Sequence, residues 1–310
     1  MTNPEDHHNC DQHHNHKNGL TLAFWLNLLF SIIELIGGIL TNSTAIVADA
    51  FHDFMDAGAI GLAIVMEKIA GKKRSDKFSY GYKRFSLLSA ISLSIFLLAG
   101  SITMLITAYN SFINPKEVYS FGMLWLALLG LAVNGFAFIK IKNGGHGHHH
   151  HGHHHGHSHN SQSIMLHLLE DVLGWAAVLI GSVIIYFTGW NWIDGILAIG
   201  IALFIGINAI KSLIKTLKVM LQSVPEHINI NKFKVELQRI EGVVDIHDLH
   251  VWTMDGDYNI GSVHAVINDS NPTTKQDILN KIIKLMENFN IQHPTVQMET
   301  TNSNCKLLTC

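Results

Sequence analysis

Six apolar segments of about 20 residues follow one another along the first two thirds of the chain. They cover residues 20–40, 44–67, 85–109, 119–141, 163–187 and 192–214. Each is close to the roughly 20 residues that an α-helix needs to cross the hydrocarbon core of a bilayer. Only 15% of the residues are charged, against about 25% in an average soluble protein. The sequence therefore predicts an α-helical membrane protein with six transmembrane helices, in a domain spanning residues 20–218.

Basic side chains are concentrated in the second and fourth links between these segments and at the end of the sixth. They are Lys68, Lys72, Lys73, Arg74, Lys77, Lys83, Arg84, Lys140, Lys142, Lys211, Lys215 and Lys218. The other three links carry only Lys116. Cytoplasmic loops of membrane proteins are enriched in Lys and Arg, so we expect both termini to lie in the cytoplasm. The N-terminal residues do not resemble a cleavable signal peptide, which begins with a basic stretch before an apolar one.

A soluble domain is predicted from about residue 224 to residue 300. An amphipathic helix ending near Gly242 is followed by two β-branched stretches on either side of the turn Asp255–Asp257. A second helix from Pro272 to Phe289 and a short strand from Thr295 to Glu299 complete the order αββαβ. This order predicts a small two-layer α+β domain, with residues 301–310 as a tail.

Two His-x-x-x-Asp pairs lie inside the apolar segments. His52 and Asp56 occupy the second segment, and His167 and Asp171 occupy the fifth. Residues four apart lie on one face of a helix, so each pair presents one imidazole and one carboxylate together. Four such ligands satisfy tetrahedral Zn²⁺, and a mixed nitrogen and oxygen set also admits Cd²⁺, Co²⁺ and Ni²⁺. The sequence thus predicts a zinc site within the membrane.

Further acidic residues accompany these pairs in the apolar segments. Asp49 and Glu170 lie three residues from His52 and His167, so either is a candidate orienting group or proton acceptor. Asp53 is more simply interpreted as a polar contact between helices. For Glu34 and Asp194 a polar contact between helices and a functional role are equally open alternatives.

Histidine is over-represented, and most of it lies in two polar tracts. Of 22 histidines, five lie between His7 and His16 and ten between His146 and His159. We expect residues 1–19 to form a disordered cytoplasmic tail and residues 144–160 to form a flexible cytoplasmic loop, both binding metal weakly. An expression tag is the alternative for the tail, and an inert solvated linker is the alternative for the loop.

The sequence resembles the cation diffusion facilitator family, in its zinc-transporting subgroup. The stretches that carry the resemblance are ADAFHDFMD, HLLED, KFSYGYKRFSLLSA, VMLQSVPEHINI and VVDIHDLHVWTMDGDYNIGSVHAVI. The resemblance implies a homodimer, a ferredoxin-like cytoplasmic domain and exchange of metal for protons. It implies that His52, Asp56, His167 and Asp171 are the transport ligands. Some members bind metal in the link between the second and third spans, where this chain has no histidine, so no site is expected there.

The resemblance also implies a second metal site in the cytoplasmic domain. His247, His264 and Glu299, each on a different predicted strand, are its candidate ligands. His250, beside Trp252, has a packed core position as its alternative, and His293 has a surface turn. Cys305 and Cys310 are too widely spaced for a common zinc motif and are at most weak extra ligands.

These features predict a secondary transporter that exports Zn²⁺ from the cytoplasm in exchange for protons, most simply across a bacterial inner membrane. Ligand imidazoles must be neutral and ligand carboxylates ionised, so binding of zinc displaces protons. The alternative is a membrane-bound zinc sensor that does not transport. An enzyme is not predicted, because a metalloprotease motif such as His-Glu-x-x-His is absent. The net charge of −3 gives no reason to expect nucleic acid as a partner.

Overall fold

A computed structural model describes residues 6–70, 72, 74–144, 157–268, 274–301 and 305. Within these ranges the side chains of residues 6–23, 63, 64, 67, 70, 140–144 and 157–168 lie outside the description. The chain forms two compact units. Residues 1–64 with 93–211 make the first unit, and residues 65–92 with 212–310 make the second.

Six long helices account for the apolar part of the chain. They are α1 (Asp6–Thr41), α2 (Thr44–Ala70), α3 (Phe85–Ile113), α4 (Ser120–Gly144), α5 (His157–Thr188) and α6 (Trp192–Met220). Within the described residues, five of them contain a stretch long and apolar enough to cross a membrane. The exception is α2, which carries Asp49, Asp53 and Asp56. The six predicted segments are thus all helical.

Two ends of these helices differ from the prediction. The backbone is helical from Asp6, so the expectation of a disordered tail over residues 1–19 is wrong for the part that the structure describes. Adding residues to an existing helix avoids the unfavourable nucleation step, which explains how a polar sequence continues α1 outward. Likewise α5 begins at His157, inside the predicted loop 144–160, whereas residues 145–156 of that loop lie outside the described residues.

The first unit packs small and aromatic side chains between helices. Ile46 of α2, Met123 of α4 and Trp175 of α5 are almost fully buried in one cluster. Gly130 of α4 is required there, because a Cβ atom at that position would collide with the Trp175 indole. Many large apolar side chains elsewhere on these helices stay exposed, Leu40 and Phe187 among them. Exposed apolar surface on this scale is expected of helices that face lipid.

The C-terminal domain has the predicted order αββαβ. Its elements are α7 (Ile230–Gln238), β1 (Val243–Thr253), β2 (Asn259–Ile267), α8 (Lys275–Asn288) and β3 (His293–Thr300). β2 lies in the middle of the sheet, antiparallel to β1 and parallel to β3. One apolar core joins the sheet to both helices, including Phe233, Val263, Ile282 and Met286. This ferredoxin-like domain therefore has a hydrophobic core of its own.

Candidate metal sites

The predicted pair on α2 lies on one face of the helix. His52 Nε2 is 3.6 Å from Asp56 Oδ2, and both side chains are about four fifths buried. The i and i+4 spacing produces this contact because one helical turn separates the two residues. A nitrogen and an oxygen donor thus face the same space on α2.

The carboxylates of α2 and α5 approach one another. Asp171 of α5 is close enough to Asp49 and Asp53 of α2 for their charges to interact. The two helices are also close at Gly174, one turn after Asp171. A Cβ atom placed there would lie 3.8 Å from Asp49 Oδ1. His167 belongs to the helical backbone of α5, but its side chain lies outside the described residues. Of the four predicted ligands, His52, Asp56 and Asp171 therefore belong to neighbouring helix faces.

Acidic residues beyond the predicted ligand set enlarge this cluster. Glu34 of α1 is 1% exposed, and its carboxyl group lies near those of Asp53 and Asp171. Asp49 and Asp53 are each 8% exposed. By contrast Glu170, the other predicted accessory acid, is exposed. Five acidic side chains thus share one region: Glu34, Asp49, Asp53, Asp56 and Asp171. Repulsion among their carboxylates requires bound protons or a bound cation.

Asp194 has a different role from these acids. It is fully buried and accepts hydrogen bonds from the Ser43 hydroxyl and from the backbone N–H groups of Thr44 and Ala45. The predicted polar contact between helices is therefore a cap on the N-terminus of α2 supplied by α6.

The three predicted cytoplasmic ligands also come together. His247 and His264 are directly opposite on β1 and β2, and their rings meet edge to face at 5.2 Å. Glu299 Oε2 is 3.3 Å from His247 Nε2, and its Oε1 is 3.1 Å from His264 Nδ1. Glu299 pairs with Val266, which lies on the same sheet face as His264 because side chains alternate along a strand. The register of the three strands is thus sufficient to bring His247, His264 and Glu299 together.

Cys305 completes this cluster as a fourth donor. Its Sγ atom is 3.5 Å from His264 Nδ1, and one donor atom from each of the four residues lies within 4.8 Å of the others. Two imidazoles, a carboxylate and a thiol form a set suited to Zn²⁺. From the sequence Cys305 is at most a weak extra ligand, because no motif or spacing links it to His264. Cys310 lies outside the described residues.

Asp248 contacts the Nε2 atom of His264, whereas Glu299 and Cys305 contact its Nδ1 atom. It occupies a β-bulge with φ of 48°, and its carboxylate contacts His250 Nε2 at 2.9 Å and His264 Nε2 at 3.5 Å. A carboxylate on one ring nitrogen holds the proton there and leaves the other nitrogen to bind metal.

His250 is exposed, so the packed core position considered for it is wrong. His293 is the first residue of β3.

Two family profiles together match almost the whole chain from residue 20 to residue 301. The cation efflux transmembrane domain matches residues 20–221, and the cytoplasmic domain of cation efflux proteins matches residues 225–301. The chain belongs to the cation efflux family. This is the cation diffusion facilitator family indicated by the sequence motifs, so the resemblance is confirmed.

Curated members of the cation efflux family are similar over most of their length. A cadmium, cobalt and zinc/H⁺-K⁺ antiporter of Bacillus velezensis is 32% identical over 94% of this chain and 92% of its own. The metal cation efflux system protein CzcD of Cupriavidus metallidurans is 30% identical over 94% and 89%. The zinc transporter ZitB of Yersinia pseudotuberculosis is 32% identical over 90% and 86%.

Membership of the cation efflux family identifies the broad activity. The chain is an integral membrane transporter that exports metal cations, and its C-terminal domain is the cytoplasmic one. The family is one of transporters rather than enzymes, in agreement with the prediction.

Proposed function

We propose that this protein exports Zn²⁺ from the cytoplasm by proton antiport, through a site formed by His52, Asp56, His167 and Asp171. The observation that carries the proposal is the approach of Asp171 on α5 to the acidic face of α2, which also bears His52 and Asp56. Acidic groups buried together in a membrane are costly unless they serve an ion or a proton path. Two imidazoles and two carboxylates match the donor preference of Zn²⁺.

Exchange for protons follows from the chemistry of the same side chains. Zinc binds neutral imidazole and ionised carboxylate, so loading the site releases protons and protonation empties it. Asp49, beside Gly174, is a proton acceptor available next to the proposed ligands. The names of relatives support both the ion and the exchange, since one pairs zinc, cadmium and cobalt with H⁺ and K⁺. We therefore include Cd²⁺ and Co²⁺ among the candidate ions, and the mixed nitrogen and oxygen donors also admit Ni²⁺.

The cytoplasmic cluster has a regulatory role in this proposal. His247, His264, Glu299 and Cys305 bind Zn²⁺ when the cytoplasmic concentration rises. Members of the family are expected to act as homodimers, and a bound ion that favours one arrangement of two such domains would favour one state of the transporter. The bacterial relatives favour an inner-membrane location, and the distribution of basic residues favours cytoplasmic termini.

Zinc accumulation in proteoliposomes separates this proposal from a zinc sensor that does not transport. The full chain is reconstituted in vesicles with an acidic interior, and external Zn²⁺ is supplied at neutral pH. We expect zinc to accumulate inside while protons leave, and accumulation to stop when an ionophore dissipates the pH gradient. Binding of zinc without accumulation would indicate the sensor.

A further inference from the structure

A cavity of about 500 Å³ lies within the second unit, beside the N-terminal end of α3. Its walls come from the link before α3, the first turn of α3, the end of α6 and the end of β1. Volumes of this size are typical of small-molecule sites. α3 and α6 are apolar helices long enough to span the bilayer, and β1 belongs to the cytoplasmic domain. The cavity is therefore at the boundary between membrane and cytoplasm.

Two neighbouring cations differ in what they contact. The Nζ atom of Lys83 lies 3.6 Å from Asp255 Oδ2 and 4.3 Å from the centroid of the Tyr258 ring. Arg84, the next residue, lines the cavity, and its buried Nε atom has no hydrogen-bond partner among the described residues. A buried guanidinium donor without an acceptor is unfavourable, and planar guanidinium groups match phosphate oxygens well. Arg84 thus points to an anionic ligand, whereas Lys83 has partners already.

The rest of the lining suits an amphiphilic anion. Lys77 adds a second cation, and none of the described residues that line the cavity is acidic. The other walls are mainly aromatic or apolar, including Phe78, Phe85 and Leu88. Phe78 and Phe85 belong to one aromatic cluster, with ring centroids 6.3 Å apart. A free inorganic anion would use the cations but leave this apolar surface uncovered.

We propose that this cavity binds an anionic phospholipid of the cytoplasmic leaflet, with its phosphate at Arg84 and Lys77 and the start of its acyl chains against Phe85 and Leu88. The cytoplasmic leaflet carries a negative surface potential that favours basic residues near it. The bound lipid supplies an acceptor for the Arg84 Nε atom, which has none among the described residues. This site is independent of which metal ion the protein transports.

Lipid binding to the full chain in a neutral detergent tests the proposal. Native mass spectrometry measures retention of dioleoyl phosphatidylglycerol and of dioleoyl phosphatidylcholine at matched concentrations. We expect about a tenfold preference for phosphatidylglycerol, which Arg84→Gln reduces to less than about twofold, because a charge-assisted hydrogen bond is lost. The matched control is Lys215→Gln. Lys215 is an exposed cation of α6 that does not line the cavity, so this variant should retain the preference for phosphatidylglycerol.

A second variant tests the same cavity without removing the arginine. Ser79 lines the cavity and is exposed, so Ser79→Glu adds a negative charge with little effect on folding. It should also abolish the preference. Equal retention of both lipids by the unsubstituted protein, or an unchanged preference in Arg84→Gln and Ser79→Glu, would overturn the proposal. Displacement of phosphatidylglycerol by millimolar inorganic phosphate would identify a free-anion site and would overturn it too.

Discussion

The Asp194 carboxylate of α6 accepts a hydrogen bond of 2.6 Å from the backbone N–H of Thr44, the first residue of α2. The same carboxylate accepts bonds from the Ser43 hydroxyl and the Ala45 N–H. The first N–H groups of a helix have no partner within it, and a negative charge there is favoured by the helix dipole. α6 thereby fixes the beginning of the helix that carries His52 and Asp56.

Asp194→Asn should destabilise the protein without removing a metal ligand. The amide keeps the shape but places a donor against N–H groups, with an expected loss of about 2 kcal/mol and a fall in melting temperature of about 4–8 °C. Ser43→Ala removes one bond of the same cap and should cause a smaller fall. Thermal unfolding in detergent, followed by tryptophan fluorescence, measures both. A melting temperature unchanged in Asp194→Asn would contradict the capping role.

Glu299→Gln should abolish high-affinity zinc binding by the cytoplasmic domain. Glu299 contacts both His247 and His264, and its charge offsets that of the ion. We expect zinc affinity to fall by more than about 100-fold, which exceeds the usual effect of removing a residue that only orients a ligand. Calorimetry on residues 224–310 measures it, with Glu287→Gln on the exposed face of α8 as the control. The site would be misassigned if both variants bound zinc like the unsubstituted domain.

Asp248→Asn should weaken zinc binding by about 10–100-fold, the usual effect of losing an outer-shell carboxylate. Asparagine tolerates the positive φ of 48° at this position, so the backbone should persist while the charge beside His264 is lost. Asp245→Asn, on an exposed position of β1, is the control. Equal affinity in Asp248→Asn and Asp245→Asn, measured by calorimetry, would exclude a positioning role for Asp248.

Cys305→Ser should change the ion preference of the cytoplasmic site. Thiolate is a soft ligand, and its replacement by a hydroxyl disfavours Cd²⁺ more than Zn²⁺. The ratio of cadmium to zinc affinity, measured by competition on the isolated domain, should fall by about tenfold or more. A ratio equal to that of the unsubstituted domain would show that Cys305, despite lying 3.5 Å from His264, does not bind the ion.

The sequence predicts the elements of this protein better than their contacts. Apolar runs of spanning length identify the helices, and β-branched alternation identifies β1 and β2, because both patterns are local. The apolar run predicts α2 even though Asp49, Asp53 and Asp56 lower its apolar character. The helical backbone from Asp6 was not predicted, since its polar sequence has no periodicity and continues an existing helix.

Within the sites, the sequence likewise predicts contacts that follow from local spacing and misses contacts between distant segments. His52 and Asp56 meet because of a helical spacing, and His247 meets His264 because of a hairpin register. Three features depend on chain packing: the contact of Cys305 with His264, the cap from Asp194, and the Arg84 Nε atom, which has no hydrogen-bond partner in the described part of the chain. No spacing in the sequence encodes these three features.

The most direct test of the transport site compares two adjacent acidic residues of α5. Asp171 lies near the carboxylates of α2, whereas Glu170 is exposed. The measurement is the initial rate of zinc uptake into proteoliposomes with an acidic interior, for Asp171→Asn and Glu170→Gln at equal protein content. We predict that Asp171→Asn transports zinc at the background rate and that Glu170→Gln stays within about twofold of the unsubstituted protein, because only the former removes a ligand charge. Substantial zinc uptake by Asp171→Asn, or equal loss in both variants, would contradict a transport site shared by α2 and α5.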